Sequence, residues 1–264
     1  MSPLLAEGQL ALQLDELGLN AGDVVLVHTS LRAVGPVEGG GEAVLRALRS
    51  VLGPEGTVVV PTFTSANSDT SPAYRERVQG LSAEEVRHVR DSMPPFDPET
   101  TPSTQVGVFP EIVRRAPGAL RSAHPQTSFA ALGPHAEKIL SDHRPDCHLG
   151  EDSPLARLYE LRARVLLLGA GFHRCTAFHL GEYRVQSPPR RTYSCVIRER
   201  GRRRWWSYED VDLSDEVFGE VGADLVRGVT GRSVRSGTVG AARCHLFGVD
   251  EAVDHARDWF PLHR

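Results

Sequence analysis

The 264-residue chain is almost without lysine: of its 30 basic residues, all but Lys138 are arginine. Chemistry built on a lysine amine, as a Schiff base or as the cation of a phosphate-binding P-loop, would have to use that one residue. Lys138 lies in an ordinary amphipathic stretch, which argues against both. Cysteine is scarce too. Cys147, Cys175, Cys195 and Cys244 are scattered with no CxxC pair, the pattern of reduced thiols and a cytoplasmic setting. No apolar run reaches about 18 residues, so no membrane span is expected. The opening MSPLLAEGQL lacks a basic region and carries an early acid, unlike a secretory signal.

What is present is the make-up of a globular protein, 40% hydrophobic and 24% charged, enough for one large core without metals or disulfides. One α/β domain over residues 1–264 is therefore expected, with no repeat or linker to divide it. The net charge of -4 disfavours a nucleic-acid partner and suits a cationic small-molecule substrate.

Periodicity sets out the elements. Residues 3–18 have helical spacing, and Asp23–His28 is an apolar run of the kind found in buried parallel strands. Glycines 35 and 39–41 precede a helix over Glu42–Leu52, and Thr57–Val60 reads as a second strand, completing a right-handed βαβ unit. Residues 64–104 read as a long polar loop with a short helical piece at Ser82–Arg90, and a loop of that length is usually functional. Helices are expected at Val106–Arg115, Thr176–Val185, Val217–Val226 and Asp250–Phe260, with a helical turn at His135–Leu140. Strands are expected at Phe129–Leu132, Arg164–Leu168 and Ala242–Phe247, and a hairpin pairs Thr192–Arg198 with Arg202–Tyr208.

The strongest chemical signal follows the Arg164–Leu168 strand. There Gly169-Ala-Gly171 turns into a helix with Thr176 as N-cap and His179 in the first turn. Ligands of open α/β sheets bind at strand carboxyl ends, and a helix N-terminus favours the neutral imidazole that a general base requires. Glu182 lies three residues on, along the same face. The competing reading is a histidine simply packed at a helix start. A carboxylate would orient the base, and the candidates are Glu182 and the acids Glu209, Asp210 and Asp212 after the hairpin, which could equally be a solvated loop. His28, Thr29, Ser30 and Arg32 end the first strand with groups suited to a phosphate or a pantetheine amide. A Cys175 nucleophile with His179 as its base, and a metal held by His173, Cys175 and His179, both lack the expected surroundings. Arg202–Trp206 alternates across a strand and reads as an exposed hairpin rather than a nucleic-acid site.

Together these blocks resemble the aminoglycoside 3-N-acetyltransferase family. The resemblance runs through Val27–Leu31 with Gly35, Leu52–Phe63, Phe96–Pro98 with Thr101–Ser103, Arg121–Pro125, Asp152–Pro154, Leu166–Gly171 and Thr176–Glu182. It implies a single-domain α/β/α sandwich around a mixed, largely parallel sheet, distinct from the common GNAT acetyltransferase fold. It implies acetyl-CoA as donor, no metal, and transfer to the 3-amino group of an aminoglycoside, with an acyltransferase acting on another amine and a coenzyme-binding protein without turnover as the alternatives. His179 would be the catalytic base and Asp210 or Asp212 its partner, with Glu182 at a position the family also keeps acidic. The His28–Ser30 turn and the Thr101–Ser103 loop would line the coenzyme cleft. Acidic walls for a polycation are expected from Asp69, Glu76, Asp97 and Glu99 with Glu209. His124 belongs to a recurring block, with binding or packing left open, as is the choice between monomer and homodimer. Two positions depart from the family: Cys175 replaces an asparagine and Gly181 an alanine. A helix glycine costs about 1 kcal/mol against alanine, which predicts a looser site.

Overall fold

The computed structural model describes residues 4–228 and 234–263. In chain order its elements are α1 (Glu7–Leu17), β1 (Val24–Thr29), α2 (Leu31–Val34), α3 (Gly40–Leu52), β2 (Thr57–Pro61), α4 (Pro72–Val78), α5 (Ala83–Ser92) and α6 (Phe109–Arg115). Then come β3 (Leu120–Arg121), β4 (Phe129–Leu132), α7 (Ala136–Leu140), α8 (Pro154–Glu160), β5 (Arg164–Leu168) and α9 (Ala177–Arg184). The chain continues through β6 (Arg190–Glu199), β7 (Arg202–Val211), α10 (Phe218–Arg227), β8 (Arg235–Val239), β9 (Ala242–Gly248) and α11 (Val249–His263).

Seven strands form one sheet in the order β3-β4-β2-β1-β5-β9-β8. β1 pairs in parallel with both β2 and β5, and antiparallel pairs extend the sheet on either side. The centre is apolar on both faces because successive side chains alternate. Val25, Val27, Leu166 and Leu168 face the core under α1, α3 and α6. Val24, Leu26, Val165 and Leu167 face the core under α7–α11. Helices thus cover both faces. The chain leaves β1 toward one layer and β5 toward the other, opening a crevice at their carboxyl ends where an α/β sheet receives its ligands.

β6 and β7 form a separate two-stranded ribbon. It carries Tyr193, Cys195 and Tyr208 in one small cluster and packs Val196 and Trp205 against Val89 and Met93 of the α5 region. Both strands run further than the alternation predicted, so Glu209 and Asp210 lie within β7 rather than in a loop after it.

The expected long loop contains two helices. Ser71 caps α4, its hydroxyl accepting from Tyr74 N at 3.1 Å with Pro72 in the first turn. Ser82 and Glu85 form a capping box on α5. α8 begins with the same Ser-Pro step at Ser153-Pro154. α6 starts at Phe109, later than expected, and Pro3, the expected start of the first helix, falls outside the described residues.

Gly181 is explained by packing rather than looseness. A Cβ there would stand 2.8 Å from Ala256 Cβ and 2.9 Å from Arg257 N, both on α11. The glycine lets α9 and α11 approach closely. Gly181→Ala should therefore lower stability by about 1–3 kcal/mol, because overpacking outweighs the propensity gain of about 1 kcal/mol. Urea unfolding checks this, and a more stable variant would contradict it.

Candidate active site

His179 is the third residue of α9, directly over the crevice. Its Nδ1 and Glu182 Oε2 are 2.5 Å apart, an i,i+3 pair on one helix face. Glu182 is buried, and its other oxygen accepts from Ser214 N at 3.2 Å. A carboxylate accepts only, so the ring donates through Nδ1 and keeps the Nε2 lone pair. The ring packs 4.6 Å from Phe218, which fixes its plane. This pair can take a proton and stabilise the resulting imidazolium.

A cavity of about 750 Å³ opens before it, lined by His28–Arg32, Phe63, Thr104–Pro110, Gly169–Gly171, His173, Arg174, Thr176 and Asp215. Gly169 has φ 69°, and a Cβ there would reach within 2.9 Å of Ala33 Cβ, so glycine lets β5 turn beneath the β1–α2 corner. Arg32 and Arg174 place two guanidiniums on the wall, suited to a phosphate-bearing ligand. His28 is buried, and burial, then His179 and Arg174, push its pKa down to about 3, so it stays neutral. Its Nε2 lies 3.3 Å from Thr176 Oγ1. That contact replaces the expected cap: the Thr176 side chain makes no capping bond.

Of the first-strand groups, His28, Thr29, Ser30 and Arg32 all line the cavity. Ser30 N donates to Leu168 O at 2.9 Å, so this amide is committed to the backbone and not to an oxyanion. Thr101 and Ser103 do not line the cavity. Thr101 Oγ1 accepts from Asp97 N, and Ser103 donates through N and Oγ to Glu111. They brace the turn that delivers Thr104–Pro110 to the wall.

The acids separate. Asp210, expected beside His179, is buried in β7, where its carboxylate accepts from Tyr183 Oη (2.5 Å), His148 N (2.7 Å) and Val211 N (2.8 Å). Asp212 is exposed, 3.5 Å from an Arg191 nitrogen. The histidine's carboxylate neighbour is Glu182, because α9 supplies it locally whereas the longer hairpin draws Asp210 into the strand ladder. The expected acidic wall is likewise not assembled. Asp69 is paired with Arg90 at 2.8 Å. Glu76 lies exposed on α4, while Asp97 accepts from Glu99 N and Thr100 N within its own turn. Glu209 is exposed on β7, and Asp215, not singled out from sequence, is the acid on the cavity wall.

His124 is fully buried, its ring 4.7 Å from both His143 and His148 and its Nδ1 accepting from Gln126 N and Thr127 N. It packs and does not face the cleft. Cys175 is also fully buried, and burial pushes its thiol up to about 12, which removes it as a nucleophile. Among the described residues no group of three or more His, Cys, Asp or Glu side chains is arranged to hold a metal ion, and no helix is long and apolar enough to cross a membrane.

Known proteins give the geometry its context. The family profile of aminoglycoside 3-N-acetyltransferase matches residues 26–261. The chain is 39% identical over 252 residues to the SPbeta prophage-derived aminoglycoside N(3')-acetyltransferase-like protein YokD of Bacillus subtilis, covering 94% of this chain and 89% of that protein. It is 38% identical over 267 residues to aminoglycoside N(3)-acetyltransferase VII of Streptomyces paromomycinus, covering 95% and 90%. Its fold matches the crystal structure of YokD with a TM-score of 0.91 at 37% identity, over 98% and 94% of the two chains. It also matches AAC-IIIb in binary complex with CoASH, with a TM-score of 0.84 at 29% identity over 98% and 97%. A third match is AAC-VIa bound to sisomicin, also at 0.84, with 28% identity over 99% of each chain. The chain belongs to the aminoglycoside 3-N-acetyltransferase family.

Proposed function

We propose that the chain is an acetyl-CoA-dependent N-acetyltransferase that acetylates the 3-amino group of the 2-deoxystreptamine ring of aminoglycosides and so confers resistance. The observation that carries this is the His179–Glu182 pair at the mouth of the cleft, 2.5 Å apart, with the ring's Nε2 left as a base. A relative's complex with CoASH and another's with sisomicin support the same pair of substrates here.

Transfer is direct. His179 takes a proton from the acceptor ammonium, and Glu182 holds the ring and stabilises its charge. The freed lone pair forms the new C–N bond at the acetyl carbon, the C–S bond breaks, the imidazolium returns its proton to the departing sulfur, and the nitrogen's remaining surplus proton passes to water. Arg32 and Arg174 suit the donor's phosphates, and Thr29 and Ser30 lie along its path through the cleft. Asp215, on the cavity wall, is the acid available to a cationic acceptor. The four free thiols support a cytoplasmic location.

A second reading, transfer to a less cationic amine, is favoured by the guanidiniums already paired with Asp69 and Asp212. Thiol release separates the two. With acetyl-CoA and a panel of aminoglycosides and simple amines, the proposal expects turnover led by the aminoglycosides. Turnover confined to simple amines would support the second reading, and coenzyme binding with no thiol released by any acceptor would overturn both.

A further inference from the structure

α9 has eight residues and no side-chain cap, so its own sequence does little to fix how it is rotated. Two contacts on opposite sides do so. On one side Gly181 lies against α11. On the other, Tyr183 follows Gly181 by two residues and His179 by four, which places it one turn beyond the histidine on the same face. Its hydroxyl donates to Asp210 Oδ2 at 2.5 Å and accepts from Leu149 N at 3.3 Å. The 147–150 loop closes over the ring so tightly that a side chain at Gly150 would collide with it. Burial, then the Asp210 charge, pushes the phenol well up, so it remains the donor. The same Asp210 oxygen accepts from His148 N, and its partner oxygen from Val211 N. Nothing in proton transfer uses this arrangement.

We infer that Tyr183 is a positioning residue for the catalytic pair: clamped by Asp210, it locks the turn of α9 that sets His179 against Glu182, and so ties the β6–β7 ribbon to the base. Near-attack geometry is steep enough that about 1 Å of misplacement costs roughly 100-fold in rate.

The test reads the pair itself as well as turnover. The proton between His179 Nδ1 and Glu182 should give a far-downfield imidazole resonance, assigned by its loss in His179→Ala. In Tyr183→Phe it is expected to move upfield and exchange faster with water. kcat should fall by roughly 10- to 100-fold while the KM for acetyl-CoA stays unchanged. Asp210→Asn keeps an oxygen to accept from Tyr183 and should move both readouts the same way by less, and it serves alone if Tyr183→Phe does not fold. An unmoved resonance in the folded variants, or an undiminished kcat, overturns the inference. Only the kinetic arm rests on the proposed acetyl transfer. A resonance that moves in a protein releasing no thiol would leave the positioning role standing and reject that function.

Discussion

His179→Ala should lower kcat by about 10²- to 10⁴-fold, the range that a positioned general base contributes, while coenzyme A still binds as tightly as to the native chain. Binding survives because Arg32, Arg174 and the His28–Ser30 turn do not depend on the imidazole. Glu182→Gln should fall between the two, since an amide neither stabilises the imidazolium nor enforces one tautomer. Thiol release, measured beside calorimetric titration with coenzyme A, checks both. Turnover unchanged in His179→Ala removes the base from the account.

Acid should unfold the protein early. Four buried histidines have folded-state pKa values far below 6.5: His28 and His148 at about 3, His143 at about 4, and His124 well below its ordinary value. Burial is the first cause in each; nearby histidines add to it for His28, His148 and His124, and an arginine, Arg174 or Arg191, adds to it for His28 and His148. Unfolded, each takes up a proton near pH 6.5; folded, none does until far lower. Their contribution is therefore fully present above about pH 6.5 and is lost as pH falls toward 3 or 4. Each loses about 1.4 kcal/mol per pH unit, so one unit below 6.5 the four together lose about 6 kcal/mol. That rivals the whole stability of an ordinary domain, about 5–15 kcal/mol. Urea midpoints should be flat from pH 8 to 7 and drop steeply from 6.5 to 5.5. A midpoint unchanged at pH 5.5 would mean that these rings are not held neutral by burial.

The central strands were legible because burial on both faces leaves an uninterrupted apolar run, as in Val24–Val27 and Val165–Leu168. His179 was legible for a local reason: strand, glycine turn and helix start follow one another in the chain, and Glu182 is one turn away. What depends on distant contacts was not. Asp210 resembles a solvated acid in the sequence, yet Tyr183 and His148 come to it across 27 and 62 residues. His124, His143 and His148 share no spacing, and only the folded loops bring the other two rings within 4.7 Å of His124. The short helices α4 and α8 carry weak periodicity, but each begins with Ser-Pro, a cap followed by proline in the first turn, and that signal was available. The arginine-rich alternation of the hairpin marks its middle and hides its ends, and so leaves Glu209 and Asp210 outside the expected strand.

The site of the new bond tests the account most directly. Native chain, acetyl-CoA and a 2-deoxystreptamine aminoglycoside, followed by intact-protein mass and two-dimensional NMR of the product, should give one thiol per acetylated acceptor. The acetyl group should be on the 3-amino nitrogen, and the protein mass should be unchanged throughout. An acetylated protein formed from acetyl-CoA alone, or an acetyl group on any other nitrogen, would contradict direct transfer to that amine.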